Sequence, residues 1–146
     1  MGTTMGSPIG VGGRRARRVQ QVLGVIYLIA GIAKFVPALE DVPQRLASAA
    51  AANAGTALAG VSDWLAARPA AVTLFVATAM CTSGIALLLD RVLVSAALVG
   101  QICMLLCFSA ILHRAVPPVV VVDVLFIAAN VYLLYARRAE KAARER

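Results

Sequence analysis

The chain has 146 residues, of which 61% are hydrophobic and only 14% charged, against about 25% charged in an average soluble domain. Its mean hydropathy of +0.85 is more apolar surface than one small soluble core can hide, so lipid is the expected solvent and partner. The net charge of +7 does not point to nucleic acid. The basic residues gather at the two ends of the chain, with no aromatic residues interleaved among them as a single-strand binding surface would need.

The first eighteen residues are MGTTMGSPIGVGG followed by a basic block with Arg14, Arg15, Arg17 and Arg18. Residues 1–18 are expected to form a disordered basic flank. The GVGG has no strand before it and is not a nucleotide fingerprint. A signal-peptide reading would take Val22–Ala33 as the apolar region and Ala47-Ser48-Ala49 as the cleavage site, but Lys34 interrupts and the site lies too far away. An uncleaved first span over 19–38 is preferred, long enough for the ~20 residues that a bilayer needs. Within it Gln20, Gly24, Tyr27, Gly31 and Lys34 recur at intervals of four, three, four and three, which places them on one stripe of a helix.

Residues 39–69 are Ala-rich and only moderately apolar. They predict two short helices, around 43–52 and 56–67, broken at Asn53-Ala54-Gly55. Trp64, the only tryptophan, sits where an interfacial anchor would. The segment reads either as a hairpin lying on the membrane surface or capping the bundle, or as a structured linker with no role of its own. Three further spans follow at 70–89, 92–112 and 116–136. The second and third are joined by Asp90-Arg91. The third and fourth are joined by His113-Arg114 and Pro117-Pro118, a helix stop and restart. Residues 137–146 form a basic tail that includes Arg137 and Arg138.

The end blocks act as membrane anchors and topology signals. With an even number of spans, both termini face the cytoplasm and 39–69 faces outward. The fold expected is therefore all-α and integral to the inner membrane. It is a four-transmembrane-helix, left-handed bundle with a short helical segment between its first two spans.

Ionisable residues inside spans are the leading functional candidates, since each is costly in lipid if left alone. Lys34 and Asp123 come out at similar depth near the outward ends of the first and fourth spans. Either they pair at the mouth of the bundle, or Lys34 snorkels and Asp123 faces an outer cavity. His113, the only histidine, lies at the same level and reads as an ordinary loop residue, with no partners for a metal site. Asn130 shares a face with Asp123, and Gln101 lies near the middle of the third span. The depths of these two suit an interhelical hydrogen bond. Small residues form close-packing seams: Gly24 and Gly31 in the first span, Gly84 in the second, and Gly100, Cys103 and Cys107 in the third. The three cysteines lack CxxC spacing and read as small packing residues, a redox pair of Cys103 and Cys107 being the sharper alternative.

The ending GIAKF (Gly31–Phe35), the stretch SGIALLLDR (Ser83–Arg91), Met104 and the layout of one span, a long segment and three close spans resemble the DoxX-like family of small four-span membrane proteins. The resemblance implies association with thiosulfate:quinone oxidoreduction or with other membrane redox enzymes. Two positions depart from it: Met80 stands where that family tends to carry a glutamate, and Asp90 where a glycine often follows the leucine run. The loss of that acidic residue favours an accessory or scaffold role.

The leading reading is an accessory subunit of a membrane redox or respiratory assembly, partnered by other membrane subunits or by copies of itself. One alternative is a small transporter or channel-like oligomer using the Lys34/Asp123 site. The other is a quinone-linked oxidoreductase subunit, with quinone as cofactor and Tyr27, Lys34 and Asp123 around its head group. No catalytic set and no metal cluster stands out, so an enzyme acting alone is disfavoured.

Overall fold

The computed structural model describes residues 11–36, 41–89 and 93–145. Among these residues every regular element is helical: α1 (Val11–Ala33), α2 (Val42–Asn53), α3 (Ala59–Ala66), α4 (Pro69–Leu89), α5 (Val94–Leu112) and α6 (Pro117–Arg144). Among the described residues, three helices are long and apolar enough to cross a membrane: α4, α5 and the Pro117–Ala143 stretch of α6. On this measure α1 is not a fourth. Its first turns carry the four arginines, and it ends as helix at Ala33, short of the span expected over 19–38.

The ends of the elements depart from expectation in two further ways. Residues 11–18 are helical, so the basic block belongs to α1 and is not an unstructured flank; residues 1–10 lie outside the described residues. At the other end, α6 runs on through the basic tail to Arg144. The Asp90-Arg91 connection lies outside the described residues as well.

The four long helices pack cyclically, α1 against α4, α4 against α5, α5 against α6 and α6 against α1. Each neighbour runs antiparallel to the last. The α1–α4 contact is the closest, and its cause is glycine. A Cβ added at Gly84 would lie 2.7 Å from the Gly24 carbonyl oxygen, and one added at Gly31 would lie 2.7 Å from Cys81 Sγ. The first contact is with backbone and only a backbone shift relieves it, and the second crowds the Cys81 thiol and, at 3.0 Å, the Ala77 carbonyl oxygen, so hydrogen at these positions is what lets the two backbones approach. Gly100, Cys103 and Cys107 behave otherwise. All three are exposed, and nothing lies within 4 Å of a Cβ built at Gly100. The small-residue face of α5 looks outward, because α5 turns Leu98, Gln101 and Leu105 inward instead.

One core cluster joins Leu23 and Tyr27 of α1, Leu87 of α4, Val94 and Leu98 of α5 and Leu133 of α6. The outward surface is apolar too: Val22, Ile29 and Ile32 of α1 and Val121, Val124 and Leu125 of α6 are all more than half exposed. A chain that leaves such residues outside on every long helix is built for a solvent as apolar as its core.

At the end opposite the tail, α2 and α3 form a short hairpin on α4 and α5. The Asp41 carboxylate caps α2 by accepting from Gln44 N at 2.9 Å, with Pro43 in the first turn. Gly55 turns the chain with φ +75°, a conformation that favours glycine. Asn53 Nδ2 then ties the hairpin together and to the bundle, donating to Ser62 Oγ and to the Ile111 carbonyl, both at 2.9 Å.

Candidate functional site

Beneath that hairpin lies a cavity of about 520 Å³. Its position follows from the chain's layout. α1 and α5 end here, α4 and α6 begin here, and α2 crosses the opening. The long helices supply Tyr27 and Lys34 from α1, Val76 and Met80 from α4, and Met104 and Phe108 from α5. From α6 come Asp123 and Phe126, and Arg45 of α2 reaches the same space.

The polar groups are few: Tyr27 and Lys34 on α1, Arg45 on α2, Thr73 on α4 and Asp123 on α6. Asp123 is 8% exposed, with the Ser109 side chain and the charge of Lys34 acting on its carboxylate. Its Oδ2 is buried and makes no hydrogen bond. Tyr27 is fully buried. Asn130 Nδ2 donates to the Tyr27 hydroxyl at 2.6 Å, and the Tyr27 ring stacks on Phe126 with centroids 5.6 Å apart. One apolar chamber thus has a carboxylate and a phenol in its lining, held by partners on neighbouring helices.

The structure brings Lys34, Asp123 and Tyr27 to this one cavity and puts Asn130 against Tyr27. It does not bring Gln101 to Asn130. Gln101 faces α4 and donates to Ser83 Oγ at 2.8 Å and to the Ala79 carbonyl at 3.0 Å. The expected bond between those two amides gives way because α5 presents Gln101 to α4, while α6 presents Asn130 to α1. His113 is exposed at the end of α5, its Nδ1 2.8 Å from the Ala110 carbonyl. Trp64 is exposed, with the Arg68 guanidinium 4.7 Å over its ring.

At the tail end, Arg14, Arg15, Arg17, Arg18 and Arg138 are exposed. Arg137 turns to α1, and its Nη1 donates to Gln20 Oε1 at 3.2 Å. Gln20 in turn donates to the Leu87 carbonyl at 2.6 Å. Among the described residues, no three of His, Cys, Asp and Glu lie together in a group suited to a metal ion.

Three residues of the site were not singled out from the sequence. Ser109 lies fourteen positions before Asp123 on a different helix, and no local pattern links them. Phe126 is one of many apolar residues in α6. Arg45 belongs to a segment whose placement over the bundle had no signal beyond its moderate polarity. Met80, where the DoxX-like resemblance leads one to expect a glutamate, is a wall of the same cavity.

Over the described residues, fold and site together define an all-helical architecture with three helices fit to cross a membrane and an apolar chamber with a polar lining at one end. The chain belongs to a family of unknown function, DUF6041, whose model matches residues 17–146. That match does not confirm the DoxX-like family that the motifs resemble. Over 116 residues, 80% of its length, the chain is 35% identical to a protein named oxidoreductase PigB from Serratia sp. (strain ATCC 39006). It spans only 17% of that much longer relative. No solved structure matches the chain.

Proposed function

We propose that this chain is a membrane-embedded accessory module of a redox enzyme. The observation that carries the reading is the shape of the match to the Serratia protein. Most of this chain corresponds to a small part of a longer protein named as an oxidoreductase. The bulk of that relative lies outside the matched stretch, so its reaction need not be carried by the part that corresponds to this chain. The supporting role is to hold a redox partner at the membrane and to offer it the chamber beneath the α2–α3 hairpin.

In this reading α1 crosses the membrane as a fourth span, shortened to the apolar stretch between its arginines and Lys34. Its exposed Val22, Ile29 and Ile32 match the lipid-facing surfaces of the other three. The four spans form a left-handed bundle in the inner membrane. Both termini face the cytoplasm, where the basic ends of α1 and α6 meet anionic lipid. The one-helix, hairpin, three-helix layout keeps the DoxX-like resemblance in play as a distant structural kinship, with Met80 in place of an acidic residue.

The test is purification of the full chain from native membranes in mild detergent, with the co-purifying proteins identified. Recovery of a flavin- or quinone-linked oxidoreductase in fixed proportion supports the reading. Recovery of the chain alone, or with partners that carry no redox group, sinks it.

A further inference from the structure

The cavity combines apolar walls with a few polar groups, and that combination specifies a ligand. Asp123 is buried, with 8% of its surface exposed. The Ser109 side chain acts on the carboxylate, yet Oδ2 is buried without a hydrogen bond. A buried acceptor in that condition is destabilising until a donor reaches it. The walls facing it are Val76, Met80, Met104 and Phe108. Thioethers and aromatic rings adapt to varied apolar shapes. The volume of about 520 Å³ falls in the range of small-molecule sites, about 300–1,000 Å³.

We propose that this cavity binds a small apolar molecule carrying one hydrogen-bond-donating head, a hydroxyl or an N–H, which donates to Asp123 Oδ2. Its body lies against Met80, Met104 and Phe108. A head bearing only a carbonyl or ether oxygen would set one acceptor against another at Asp123 and gain nothing there. The site goes beyond the partnership proposed above and stands on the cavity alone, so a pull-down without a redox partner leaves it untouched.

The experiment uses the full chain in bilayer nanodiscs and two probes, 4-pentylphenol and its methyl ether 4-pentylanisole, which share a body and differ in the donor. Binding is read by ligand-observed NMR titration. The phenol is expected to bind about tenfold more tightly than the ether, the worth of one hydrogen bond to a charged group. Asp123→Leu brings the phenol down to the level of the ether. Should that variant not fold, Asp123→Asn keeps the shape and narrows the difference. Ala30→Phe, which adds bulk to the lining of the cavity, removes binding of both probes. Equal binding of phenol and ether, or binding of neither, overturns the proposal. So does a phospholipid that co-purifies with the wild type, is lost from Ala30→Phe and blocks the phenol, because the site would then be a lipid site.

Discussion

Asn130 of α6 reaches across to α1 and donates to the hydroxyl of Tyr27 at 2.6 Å, in a place where both side chains are fully buried. The two residues are 103 positions apart, so this bond joins the first and last long helices. Tyr27→Phe removes the acceptor and leaves the amide buried without its partner. The expected loss is roughly 1–2 kcal/mol of stability, read as a lower midpoint in detergent unfolding. Asn130→Leu together with Tyr27→Phe should cost less than the sum of the two single changes, because both remove the same bond.

The α1–α4 seam gives a prediction with an internal control. Gly84→Ala places a methyl group 2.7 Å from the Gly24 carbonyl oxygen, and only a shift of backbone relieves that. Destabilisation of roughly 1–3 kcal/mol is expected. Gly100→Ala meets nothing within 4 Å and should be neutral or slightly stabilising, since alanine is the better helix former. Thermal melts of the two variants side by side make the comparison. Equal effects would mean that the seam is not where the structure puts it.

Asn53 holds the hairpin over the cavity through Ser62 and the Ile111 carbonyl. Asn53→Ala should loosen α2 and α3 while leaving the four long helices intact. Hydrogen exchange should rise in 42–66 and stay unchanged at Leu98 and Leu133 in the core. A global rise in exchange would show instead that the hairpin is integral to the stability of the bundle.

Lys34 and Asp123 line one cavity and interact electrostatically. A double-mutant cycle with Lys34→Ala and Asp123→Ala should give a coupling of about 0.5–3 kcal/mol, as for residues within one network. Strict additivity in the unfolding midpoints would mean that each acts with other partners and that the two helices are not held by this interaction.

The cysteines separate by environment. Cys81 packs against Gly31, whereas Cys103 and Cys107 are exposed on α5. A lipid-soluble organomercurial, which reaches thiols on an apolar surface, should therefore label Cys103 and Cys107 well before Cys81. Mass spectrometry of the time course gives the order, and early labelling of Cys81 would place α4 differently against α1.

Much of the architecture was legible in the chain because helices announce themselves locally. Apolar runs of bilayer length, Pro117-Pro118 as a restart and the turn at Asn53-Ala54-Gly55 all act within a few residues of themselves. The stripe of Gln20, Gly24, Tyr27, Gly31 and Lys34 was legible for the same reason, and in the structure its members meet α4, α6 and the cavity. The face of α5 could not be read this way. Small residues at helical spacing permit a close approach but do not compel one, and Gly100, Cys103 and Cys107 point outward.

What the sequence determined by itself is the medium and the parts: an apolar helical chain, basic at both ends, with a lysine and an aspartate set into otherwise apolar stretches. Composition and periodicity suffice for that, because the hydrophobic effect and helix spacing are local in their demands. The tertiary structure decided the pairing. It set Asn130 on Tyr27, Gln101 on Ser83, Ser109 on Asp123 and Arg137 on Gln20, and it closed a hairpin over the cavity between them. Each of these depends on the rotation of one helix against another, a quantity set by glycine contacts and packing across the whole bundle.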